Sequence, residues 1–146
     1  MIRTAAAFVL TLSCATAMAQ MTPVGLWKTI DDDGKTEKSL VRISDSGGVL
    51  TGAVEKIFNP AKQDEKCDKC ADDRKDKPVL GMTILKGVKQ SESDKAMWDG
   101  GEILDPNNGK TYKVRLTPAD GGKTLAVRGY VGAPLLGRTQ TWVRVE

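Results

Sequence analysis

Residues 23–30 read PVGLWKTI, and the tryptophan that follows a glycine by two positions decides how the chain folds. The stretch opens the first run of strand-type residues, ahead of a turn-forming DDDGK at 31–35. In an up-and-down barrel of about eight strands, a large ring on the first strand can plug the closed end while a glycine admits neighbouring backbone. An arginine from the final strand can then stack on the indole and cap it. Gly25 and Trp27 supply the first two parts, and Arg138 and Arg144 stand near the other end of the chain. The competing account makes Trp27 an ordinary core tryptophan of any β fold. The number of strand-like runs and the late arginines favour the plug.

Outward from that stretch, the chain is a series of short strand-type runs separated by turn signals, with no long helix-period segment. The runs fall at 24–30, 38–44, 49–57, 79–86, 95–99, 110–116, 123–131 and 138–145, with SDSGG, DPNNGK and PADGGK among the connections. Seven or eight closely connected antiparallel strands predict an all-β barrel or sandwich. Alternation is clearest at 110–116, where Tyr112, Val114 and Leu116 share one face and Thr111, Lys113 and Arg115 the other. In 123–131, Leu125, Val127 and Val131 oppose Ala126, Arg128 and Tyr130. The last run is ambiguous: Thr139, Thr141, Val143 and Val145 oppose Arg138, Gln140, Trp142 and Arg144, and neither face is plainly apolar. Either the Val/Thr face points inward, or a polar-aromatic face lines an interior cavity.

The chain begins MIRTAAAFVLTLSCATAMAQ, with one basic residue, a short apolar run and small residues ending at Ala19. This is the pattern of a signal peptide over 1–19, cleaved after Ala19, and it predicts an exported, periplasmic or secreted bacterial protein. The apolar run is shorter than the roughly 20 residues that span a bilayer, so no transmembrane segment is expected. A lipoprotein is the competing reading, with Cys14 lipidated, but Thr11 stands where leucine is usual. Removing 19 residues from 146 leaves 127, which suits a single domain over 20–146. Taking Arg3 from the 22 basic residues leaves 21 against 19 acidic, too weak a bias to attract nucleic acid or an anionic membrane. The absence of histidine excludes His-activated nucleophiles and His metal sites.

The segment 58–78, FNPAKQDEKCDKCADDRKDKP, is too polar for core and too long for a hairpin turn, so it is expected to run over the surface as a functional or mobile loop. Within it, Cys67 and Cys70 form a CxxC. In an exported chain a disulfide that stiffens the loop is the simplest reading. A redox pair would need a helix N-terminus to activate the first thiol, and a structural zinc would need further Cys or His ligands. No metal or cofactor is therefore expected. Asp99, Glu102 and Asp105 in WDGGEILDPNNGKTY invite a carboxylate-pair reading, but adjacency in one segment does not set a catalytic separation. A bulge or bend at Gly100-Gly101 and a hairpin turn at DPNNGK account for them better.

The Gly25-x-Trp27 opening, the barrel-sized chain and the late arginine resemble the lipocalin and fatty-acid-binding (calycin) superfamily. The blocks GLWKT, CDKC, PVLGMTILKG, WDGGEILDPNNGKTY and LAVRGYVGAPLLGRTQTWVRV resemble, more specifically, a family of secreted bacterial proteins built on a domain of unknown function. That resemblance spans nearly all of the chain after the signal peptide. It implies a lipocalin-like antiparallel up-and-down barrel and carries over no activity.

A barrel of this size can hold one small molecule, so the expected function is a non-enzymatic carrier or binding protein for a lipid or other amphipathic ligand. Tyr112, Arg128, Tyr130, Arg138, Gln140 and Trp142 are the expected ligand-facing residues. If they point inward, they form a pocket able to hold an anionic head group on an arginine fork; if outward, they are a solvated face. GAPLLG at 132–137 is apolar for a loop and reads as a lip over the open end or a packing surface. The alternative function is an envelope interaction protein with a packed interior, docking through loop 58–78.

Overall fold

Eight antiparallel strands close into one barrel, each hydrogen-bonded to the next and the last to the first. They are β1 (Gly25–Ile30), β2 (Glu37–Ser46), β3 (Val49–Ile57), β4 (Thr83–Gln90), β5 (Trp98–Asp105), β6 (Lys110–Ala119), β7 (Thr124–Tyr130) and β8 (Gly137–Arg144). The computed structural model describes residues 21–146; the expected signal peptide and Cys14 lie outside them. Among the described residues no helix is long and apolar enough to cross a membrane.

The pleat explains most of the interior. On β2 Val41 and Ile43 are buried, on β6 Val114 and Leu116, and on β7 Leu125 and Val127, each set two residues apart as one sheet face requires. Arg42, on the outer face of β2, reaches Glu55 of β3 and Glu146 instead. The cross-strand register carries the same choice around the barrel. Leu116 faces Val127, and Val127 faces Gln140 on β8. Directly opposed residues share a face, so Gln140 and Trp142 point inward while Val143 is left 42% exposed. The polar-aromatic face of the last strand is thus the interior one.

Two runs depart most from their expected extents. Val79 and Met82 are buried like strand residues, but Gly81 takes a φ of +86° and its amide donates to the Val54 carbonyl, so 79–82 ends the preceding loop and β4 continues to Gln90. β5 does not stop at Asp99: it passes through Gly100-Gly101 with a register shift between Trp98 and Gly101. A side chain at Gly101 would sit 2.2 Å from the Lys86 carbonyl oxygen. The glycine lets β4 approach, and the strand goes on to pair Glu102 with Lys86.

Loop 58–82 is also less of an excursion than its polarity implies. Cys67 and Cys70 are joined in a disulfide with Cα atoms 5.4 Å apart, and both cysteines belong to the hydrophobic core. The loop folds on itself through Cys67 N–H to Lys77 O, Asp76 N–H to Cys67 O and Val79 N–H to Glu65 O. Arg74 ties it to the barrel by donating to the Thr83 carbonyl. It also lies against the β5–β6 turn so closely that a Cβ on Gly109 would meet the Lys69 carbonyl oxygen at 1.9 Å.

Candidate functional site

The two ends of the barrel are built from different chemistry. At one end, Trp27 is fully buried, with its Nε1 donating to the Pro23 carbonyl. Arg144 lies over the indole, 4.2 Å from the ring centroid, and donates from Nε to Gly122 O, from Nη1 to Val24 O and from Nη2 to Thr22 O. Burial pushes the guanidinium pKa below its ordinary value. Gly25, at φ +144°, passes beneath this group: a Cβ there would stand 2.4 Å from Arg144 Nη1. One cation thus gathers the chain ahead of β1 and the short helical turn Asp120–Gly122 ahead of β7 over the ring, closing this end. Arg138, the other arginine expected here, is at the opposite end, six residues back along β8.

That opposite end encloses a cavity of about 540 Å³. Buried apolar side chains from several strands form part of its wall, among them Val54, Ile57, Ile84, Leu104, Val127 and Trp142. Tyr112 adds a ring whose hydroxyl accepts from Asn108 Nδ2 at 2.8 Å. The mouth is charged: Asp31, Asp32, Glu37, Glu65 and Asp105 contribute carboxylates. Lys38, Lys62 and Arg138 contribute cations.

Tyr112, Arg138, Gln140 and Trp142 therefore come together on the cavity wall, as an inward-facing site requires. Arg128 and Tyr130 do not. They alternate with Val127 and Gly129, which line the cavity, and Arg128 pairs across to Thr139 on the outer face. Its Nε donates to Pro134 O and its Nη1 to Thr139 Oγ1, so it holds the β7–β8 loop from outside. The loop itself leaves Leu135 87% exposed and is no part of the cavity wall. The sequence grouped these residues by proximity along the chain; the register separates them by one position, and hence by one face.

Sequence reasoning missed the partner of Arg138. Asp32, in the β1–β2 turn, accepts from Arg138 Nη1 at 2.7 Å and from Gln140 Nε2 at 3.0 Å; Gln140 in turn accepts from Trp142 Nε1 at 3.1 Å. These bonds cross the seam with the fewest paired strand residues, where β1 meets β8 at Trp27–Arg144 and Lys28–Val143. The turn presents Asp32 because its neighbour Asp33 accepts from the amides of Lys35 and Thr36 and from the Thr36 hydroxyl. Those bonds, the hydroxyl first, hold the Asp33 carboxyl below the usual aspartate value. DDDGK was legible as a turn, but nothing in it names a partner more than a hundred residues away.

Among the described residues no group of three or more His, Cys, Asp or Glu is placed to hold a metal ion. Asp99 and Glu102 flank the β5 bulge, whereas Asp105 turns to the cavity mouth.

A solved structure with the same architecture is protein HP1028 from the human pathogen Helicobacter pylori, described as belonging to the lipocalin family; the two share 20% identity, with a TM-score of 0.71 over 84% of this chain and 82% of that one. The likeness establishes the lipocalin-like fold. No curated protein sequence matches the chain. Residues 25–144, almost the whole barrel, match the model of a family described as uncharacterized proteins conserved in bacteria, DUF2147, and the chain belongs to that family.

Proposed function

We propose that the protein is a non-enzymatic carrier or binding protein for a small amphipathic molecule, exported by its N-terminal signal to the periplasm or beyond. The single observation that supports this reading is the cavity. Its volume of about 540 Å³ is within the range that holds a small ligand, its depth is apolar, and its mouth is polar. The fold favours the same reading, since lipocalin-like barrels offer one end for a ligand and seal the other. The alternative of a fully packed barrel acting only through loop 58–78 has less support, because the interior is open and the loop's cysteines are buried in the core.

The test is uptake. Purified protein, titrated with an uncharged ten-carbon alcohol and followed by calorimetry, is expected to bind one molecule per chain. Ile103→Trp, which places an indole into the cavity, is expected to abolish that binding while leaving the β-sheet circular dichroism unchanged. Binding that persists in the filled variant would move the ligand site elsewhere and remove the basis of the carrier reading.

A further inference from the structure

We propose that the cavity selects an amphiphile with a cationic head group and rejects fatty-acid-like carboxylates, and that Asp32 sets this preference. The inference rests on the carrier reading and specifies its ligand class.

A barrel that binds a carboxylate needs a sheltered cation free to receive it. Arg138 is the arginine of the cavity wall, and its guanidinium is already paired with Asp32, which Gln140 braces from its other oxygen. An incoming carboxylate would have to displace Asp32, leaving one carboxylate exchanged for another and the Gln140 amide without its acceptor. Lys38 is likewise near a carboxylate, Asp31, at 3.8 Å. Lys28, just outside the cavity, meets Glu37 at 3.1 Å. Of the eight charged groups around the mouth, five are acidic and three basic. Glu65, on the disulfide-bearing loop, and Asp105, at the start of the β5–β6 turn, make no ion pair among the described residues and are half-buried; Lys62 makes none either but is exposed, so the sheltered unpaired charge at the mouth is acidic.

The mouth therefore carries negative potential at the point where the polar end of a ligand must sit once its tail fills the apolar depth. Like charges at that position repel, and low-dielectric walls strengthen the effect. An ammonium head can approach Glu65 and Asp105 without breaking any existing pair.

Three probes with the same ten-carbon tail test this: decyltrimethylammonium, decanol and decanoate, titrated calorimetrically at neutral pH and low salt. Decyltrimethylammonium is expected to bind tightest and decanoate weakest, with roughly a tenfold ratio or more between the two ions, narrowing as salt approaches about 0.5 M. Asp32→Asn releases Arg138 and is expected to raise decanoate affinity while lowering that of decyltrimethylammonium. Arg138→Gln releases Asp32 and is expected to shift the ratio further toward the cation. Decanoate binding as well as or better than the ammonium probe, or a ratio that Asp32→Asn leaves unmoved, overturns the charge selection while decanol binding keeps the carrier reading intact. Failure of all three probes to bind overturns the carrier reading and this inference with it.

Discussion

Arg144→Ala should cost the barrel about 3 kcal/mol. The guanidinium makes three hydrogen bonds to backbone carbonyls, at 2.5, 2.8 and 2.7 Å, and stacks on a tryptophan that is itself fully buried. Each bond from a charged donor to a carbonyl is worth about 1 kcal/mol net where water can partly replace it, and the cation–π contact about 1 kcal/mol more. About 1 kcal/mol of this is offset because alanine no longer holds a charge in a partly desolvated place, the same burial that lowers the pKa of Arg144. Arg144→Lys keeps the charge but cannot stack as a plane or reach three carbonyls on three sides, so it should recover only about 1 kcal/mol. Urea unfolding, followed by circular dichroism, reads both variants; with a slope of about 1.5 kcal/mol per molar, the alanine midpoint should fall by about 2 M. A loss below about 1 kcal/mol for alanine, or full rescue by lysine, would refute the claim that a shaped guanidinium closes this end. Because the cavity lies at the other end, Arg144→Lys should leave decanol affinity unchanged.

Three further outcomes follow from other parts of the molecule. Gly109→Ala should destabilise the protein by about 3 kcal/mol because its Cβ would collide with the Lys69 carbonyl, whereas Gly34→Ala, at the same φ of +72° with nothing within 4 Å, should cost only about 1 kcal/mol; equal midpoints in urea would show that the loop does not press on the turn. Reducing the Cys67–Cys70 disulfide, which closes a short ring, should cost about 2 kcal/mol and speed hydrogen exchange within 58–82 more than in the barrel strands; uniform acceleration would mean that the bridge supports the whole fold. The side-chain hydrogen bond from Arg74, followed by the Arg74 amide, lowers the Asp72 carboxyl from 3.8 to about 2. Since the folded-state value is depressed, the Asp72–Arg74 pairing that orients the guanidinium toward Thr83 is fully present above pH 3.8 and is lost as pH falls through about 2. Exchange at the loop amides should rise across that window in the parent protein, and Asp72→Asn should show the rise already absent.

The sequence by itself determined an all-β succession of about eight antiparallel strands, because two-residue alternation and turn chemistry are local, while its choice between barrel and sandwich leaned on resemblance. Tyr112, Val114 and Leu116 announce an inner face without reference to any other strand, and PADGGK or DPNNGK can hardly be anything but a reversal. The closing tryptophan was legible for a similar reason: a glycine two residues before a large ring is a packing requirement written into adjacent positions. Strand limits were read less well at β4 and β5, where glycines act through close approach of a neighbouring strand rather than through their own turn. What only the tertiary structure decided is everything that depends on register between strands. Which late arginine meets Trp27, which face of β8 is interior, and that Arg128 lies outside while Arg138 lies at the mouth all follow from opposing residues sharing a face, and a shift of one position would reverse each. The same holds for Asp32, which meets Arg138 and Gln140 only because closing the barrel brings the first turn beside the last strand. Alternation along one strand reveals two faces; closure of the barrel decides which of them looks inward, and what waits there.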